Sequence, residues 1–204
     1  MGWNVYGIAI PTKSKDYNLD EIATFLASNS NIEASHTYDR NIHNTTIDRY
    51  DTGILIFNDA LSSLFFQEGI SPLEKELFDY FGNPECIIGI IDTDDCYVGY
   101  SVVTNNFTKR FKLNTENDIR KIIEYGEPIE EEMIWLNALK KEDIEDEDWP
   151  CEVSYFLDKP DEIFTPWDIL KLTQIKLMEN RVGFYWEEGS LEMKNYRIEI
   201  HPKA

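Results

Sequence analysis

Residues 86–113 read CIIGIIDTDDCYVGYSVVTNNFTKRFKL, and this stretch decides the fold. Cys86 to Asp92 is apolar, Thr93-Asp94-Asp95 has turn chemistry, and Cys96 to Thr104 is apolar again. Asn105-Asn106 supplies a second tight turn. Asparagine tolerates the positive φ that a two-residue hairpin loop requires. Phe107, Lys109, Phe111 and Leu113 then alternate along one side. Three such segments joined by short turns predict a three-stranded antiparallel meander.

Working outward, Gly53-Ile54-Leu55-Ile56-Phe57 is a continuous apolar run. That pattern predicts a central strand covered on both faces. Trp3 to Ile10, closed by Pro11, predicts another strand. Val182 to Trp186, a turn at Glu187-Glu188-Gly189-Ser190, and Leu191 to Ile200 predict a C-terminal hairpin.

Helix starts lie between the strands. Asn18 with Glu21, Ser71 with Glu74, Thr115 with Asp118 and Thr165 with Asp168 each place a capping side chain three residues before an acid. Such pairs satisfy the orphan amides of a first helical turn. Pro72 and Pro166 stand at the first helical position, where a missing N–H is harmless. Four helices are predicted from the apolar stripes that follow. They are Leu19-Ile22-Ala23-Leu26, Leu73-Leu77-Phe78-Phe81, Ile119-Ile122-Ile123, and Leu170-Leu177-Met178. Helices and hairpins in irregular alternation predict an α+β domain over residues 1–204. Its sheet is largely antiparallel and is flanked by about four helices. Residues 140–150, ending at Trp149-Pro150, are expected to be an acidic surface loop or linker.

The chain of 204 residues holds 39 Asp+Glu against 19 Lys+Arg, a formal net charge of −20. With 11 Phe, 11 Tyr and 5 Trp it has the apolar content to fold despite that charge. Between Glu127 and Glu152 eleven acids face only Lys140 and Lys141. A field concentrated this way favours a cationic partner. It argues against nucleic acid, whose binding needs a Lys/Arg face, and against an anionic membrane surface. No apolar run is long enough for a membrane span, and the N-terminus lacks the pattern of a signal peptide. Three cysteines, Cys86, Cys96 and Cys151, without C-x-x-C spacing read as reduced thiols of a cytoplasmic protein.

Constellations that carry chemistry are scarce. There is no G-x-x-x-x-G-K-[ST], no G-x-G-x-x-G after a strand, no G-x-S-x-G and no H-E-x-x-H. His36 and His43 flank Asp39 near Asp48 and Asp51, with no ligand spacing, and read as a surface loop. An EF-hand loop beginning at Asp92 would need Gly and Glu where Tyr97 and Val103 stand. No catalytic, cofactor or metal residue is assigned.

From Gly53 to about Leu136 the chain has a recurring order of parts. The apolar strand 53–57 is followed by Ser71-Pro72-Leu73-Glu74 opening a helix, then Tyr80-Phe81, Gly99-Tyr100-Ser101 and Gly126-Glu127-Pro128-Ile129-Glu130-Glu131-Glu132. This order resembles an uncharacterised bacterial domain family of unknown function. The resemblance implies a bacterial cytoplasmic protein and carries over no site residue.

The leading expectation is a non-enzymatic acidic domain that docks and neutralises a basic protein, as immunity proteins do. Glu142, Asp143, Glu145, Asp146, Glu147 and Asp148 would steer the partner, and Trp149 or Trp135 would anchor it. The alternatives are an enzyme or small-ligand domain with a site assembled from distant residues, and a subunit of a larger assembly.

Overall fold

The computed structural model describes residues 4–12, 17–29, 44–66, 72–92, 97–104, 107–115, 122–143, 152–157, 163–184 and 192–197. The meander forms as its sequence predicts. Strands β4 (Cys86–Asp92), β5 (Tyr97–Thr104) and β6 (Phe107–Asn114) pair in antiparallel succession. The residues read as its first turn, 93–96, and Asn105-Asn106 lie outside the described residues.

The meander extends in both directions. Strand β1 (Asn4–Pro11) pairs with β4 on one side and with β3 (Gly53–Phe57) on the other. Beyond β3 lie β2 (Asn44–Arg49) and β11 (Glu192–Arg197), and beyond β6 lies β7 (Ile122–Tyr125). The result is an eight-stranded sheet, β11-β2-β3-β1-β4-β5-β6-β7, in which every neighbouring pair is antiparallel. The α+β class and the largely antiparallel sheet are therefore as expected.

Both faces of the sheet are covered, which explains the apolar runs in its central strands. Ile8, Ile10, Ile54, Ile56, Ile88 and Ile90 face helices α1 (Leu19–Asn29), α2 (Asp59–Phe65) and α3 (Pro72–Tyr80). Ala9, Leu55, Ile87, Ile91, Tyr100 and Val102 face α5 (Pro166–Val182) through Leu170, Leu177, Met178 and Val182. Helix α5 begins with the predicted capping box: the Asp168 amide donates to Thr165 Oγ1 (3.2 Å) and the Thr165 amide donates to Asp168 Oδ2 (2.9 Å). Gln174 of α5 lies against the sheet over Gly89, where a Cβ would stand 2.3 Å from its side-chain amide. Glycine there lets the helix settle onto the sheet.

A 3-10 turn (Glu130–Glu132) leads into the short helix α4 (Met133–Leu136). A second, three-stranded sheet follows, in the order β10 (Ile163–Phe164), β9 (Glu152–Phe156), β8 (Leu139–Asp143). Helix α5 touches strands of both sheets.

Several expectations are corrected. Ile122 and Ile123 belong to β7 rather than to a helix, because they pair across to Asn114 and Leu113. Val182 ends α5, and Gly183, at φ 72°, closes that helix in the left-handed region. The last strand, β11, pairs with β2. Residues 185–191, read as part of a hairpin, lie outside the described residues. Asp48 is not on a surface loop; it is a buried residue of β2. His36 and His43 lie outside the described residues. Within the 140–150 stretch expected to be a loop, residues 140–143 are strand, with Lys140 opposite Tyr155 and Asp143 opposite Glu152. Helix α2 was not anticipated; Asn58 caps it, its side-chain oxygen accepting from the Leu61 amide at 2.7 Å.

Candidate functional site

The described part of the acidic stretch and several of the exposed apolar side chains lie on α4 and the small sheet. What positions this region is a buried ion pair. Arg110 of β6 pairs with Val102, next to a bulge in that strand, and so shares the α5 face of the sheet with Tyr100 and Val102. The Arg110 side chain is 4% exposed. Its Nε donates to Glu132 Oε1 and its Nη2 to Glu132 Oε2, both at 2.7 Å. Nη2 also donates to Glu124 Oε2 at 2.7 Å, and Nη1 donates to the Gly126 carbonyl at 2.8 Å. This fork-on-carboxylate geometry suits guanidinium better than ammonium.

Gly126 makes the arrangement possible. Its φ is +84°, and a Cβ there would lie 2.0 Å from the Lys109 carbonyl oxygen. The chain therefore turns tightly after β7, presents a carbonyl to Arg110, and sends residues 127–129 to the 3-10 turn.

Electrostatics follow from this packing. Burial alone would raise the Glu132 carboxyl, but the Arg110 hydrogen bonds and the nearby Lys112 and Arg110 charges outweigh it and hold its pKa below the ordinary value. The Tyr100 hydroxyl is buried beside Glu132 and Arg110; burial first, and the Glu132 charge second, push its pKa up. Glu131, alongside, is also buried; it accepts from Asn180 Nδ2 (3.0 Å) and stands 3.6 Å from Arg181. Two of the eleven acids counted toward a surface field are thus interior residues neutralised by arginines distant in sequence.

Two hollows flank this anchor. One, of about 670 Å³, has Arg110, Lys112 and Glu124 on its floor and Tyr125, Trp135 and Tyr155 among its walls. The other, of about 640 Å³, runs along the outer side of α5 and is mostly apolar. Ile134, Leu157, Phe164, Leu172 and Ile175 line it, with Glu130, Glu131 and Glu179 at its edge. Trp135 is the wall they share, packed edge-on against Phe164 at 5.1 Å.

The expected partner-binding residues fall out unevenly. Trp135 is in this region but 9% exposed, so it is a wall and not a projecting anchor. Glu142 and Asp143 lie on β8. Glu145, Asp146, Glu147, Asp148 and Trp149 lie outside the described residues. Apolar exposure sits instead on Met133, Ile134 and Leu136 of α4, and on Leu139 and Ile163. Leu139 and Ile163 occupy one cross-strand row, each opposite Phe156.

Among the described residues no group of three or more His, Cys, Asp or Glu converges as a metal site would. Cys86 is fully buried, and burial raises its thiol well above the ordinary pKa, so it is chemically quiet. No described helix is long and apolar enough to cross a membrane. In comparisons with known proteins, no family model, no curated protein and no solved structure matches the chain.

Proposed function

We propose that this chain is a non-enzymatic binding domain of a bacterial cytoplasm, one that docks and neutralises a basic protein in the manner of an immunity protein. The observation that carries the reading is the exposed apolar group on α4, β8 and β10, set in a chain of net charge −20. Ile134 is 55% and Leu139 73% exposed, and the sequence around them carries Glu130, Glu142 and Asp143. Acid surrounding an apolar centre matches the anatomy of a protein interface, in which charge supplies encounter and a few large apolar side chains supply affinity. The test is affinity capture from a lysate of the source organism at low salt, followed by elution at high salt. A retained protein with an isoelectric point above about 9, released by salt, supports the proposal. Retention of no basic protein overturns it.

A second reading rests on the cleft floored by Arg110, Lys112 and Glu124. Its aromatic walls and preorganised charges suit a small polar ligand. Ligand screening by thermal shift separates the readings: a compound that raises Tm in wild type and not in Lys112→Met favours this one.

A further inference from the structure

Helix α5 carries apolar residues on two sides. Leu170, Leu177, Met178 and Val182 cover the sheet, whereas Leu172 and Ile175 look away from it into the hollow bounded by α4 and Phe164. A helix apolar on one stripe needs one partner layer; a helix apolar on two sides needs two. Among the described residues the second layer is only α4 and the edge of the small sheet, and Leu172 and Ile134 remain 38% and 55% exposed.

We infer that this groove takes an amphipathic helical segment of the basic partner, with apolar side chains seated between Ile134 and Leu172 and lysines or arginines along the Glu130–Glu179 edge. The inference rests on the basic-partner reading and adds the place and the form of contact. Three observations favour a helix over a strand or a small molecule. The long wall is α5, whose backbone groups are already bonded within the helix and offer an added strand nothing to pair with. Leu172 to Asn180 spans nine residues of α5, about 12 Å, which accommodates roughly two turns of a second helix. The groove edge carries Glu130 and Glu179 against Lys176, which is paired with Glu179 at 3.0 Å, while Glu131 beneath them is buried. An apolar floor with an acidic edge selects apolar anchors flanked by cations.

The test uses the full chain, isotope-labelled, and three synthetic peptides of about 14 residues, long enough to populate helix. One alternates Leu and Lys at helical spacing, one replaces Leu by Ser, and one replaces Lys by Asp. The Leu/Lys peptide is expected to shift the resonances of Ile134, Leu172 and Ile175. The double variant Ile134→Asp, Leu172→Asp is expected to weaken that binding about tenfold or more, as loss of a hot spot does. Both positions are exposed, and an unchanged amide spectrum elsewhere confirms that the variant is folded.

Equal binding of the Ser/Lys peptide overturns the groove but leaves a basic partner standing. Equal binding of the Leu/Asp peptide overturns the charge selection. Shifts confined to the Arg110 cleft overturn the placement. Contacts from the chain's own residues into the groove of the free protein overturn the inference by naming another occupant. Binding of none of the peptides overturns the inference, and the basic-partner reading then stands or falls by the affinity capture alone.

Discussion

Separating Glu132 from Arg110 should cost about 3 kcal/mol, and this value follows from the geometry. Both side chains are 4% exposed, and Glu132 accepts two of the guanidinium's bonds at 2.7 Å. Each charge-assisted hydrogen bond contributes about 1.5–3 kcal/mol. Breaking a buried pair by deleting one partner typically costs about 3–5 kcal/mol, because the survivor is left uncompensated. Here Glu124 and the Gly126 carbonyl remain on the guanidinium, which places the cost at the lower end. Glu132→Leu and Arg110→Met should each destabilise by about that amount in urea unfolding at pH 7, with unchanged m values. The double variant should fall short of the sum by about 2 kcal/mol, since the second change removes a group already orphaned by the first. The pH dependence is fixed by the direction of the Glu132 shift. Its folded-state pKa is lowered, so its stabilisation is full above the ordinary carboxyl range and is lost as pH falls through the folded value. Glu132→Leu should therefore flatten the acid limb of the stability curve. Additivity within about 0.5 kcal/mol, or an unchanged acid limb, would refute the claim that this pair fixes α4 to the sheet.

Other consequences can be checked singly. Asp48 is buried; burial raises its carboxyl pKa against the weaker opposing effect of the Tyr50 hydroxyl, which donates to it at 3.3 Å. A raised folded-state pKa means stability present at low pH and lost as pH rises through that value, so Asp48→Asn should raise Tm at pH 7 and bring no gain at pH 3. A lower Tm at pH 7 would contradict this. Gly126→Ala faces both positive φ and the Lys109 carbonyl, and should lose at least about 2 kcal/mol in denaturant unfolding. Thr165→Ala removes the α5 cap and should cost about 1 kcal/mol, with Thr165→Ser recovering most of it.

How much the sequence reveals depends on how local the cause is. The meander was legible because pairing across two- to four-residue connections is dictated by neighbouring turn chemistry. The start of α5 was legible because its capping box needs only Thr165 and Asp168. Strand β2 was hidden by its polarity: NTTIDR reads as loop, yet its Thr45, Ile47 and Asp48 are all buried between β3 and β11. The partner of the last strand was hidden because an alternating segment announces a strand and not its neighbour. At the candidate site, the clustered acids were visible, but their fates were not. Glu131 and Glu132 turn inward to Arg181 and Arg110, and a pair separated by 22 residues leaves no local pattern. Arg110 itself gave no signal: in FTKRFKL it stands between Lys109 and Phe111 with Lys112 beyond, which reads as the polar side of a strand.

The most direct test of the account is stopped-flow association of the Leu/Lys peptide as a function of ionic strength, in wild type and in two variants. Replacing Glu145, Asp146, Glu147 and Asp148 with Ser should slow association and flatten its salt dependence, leaving dissociation nearly unchanged. Ile134→Asp with Leu172→Asp should instead speed dissociation. That division, acid for encounter and apolar groove for retention, is what the account predicts. Rates and salt slopes unchanged in both variants would contradict it.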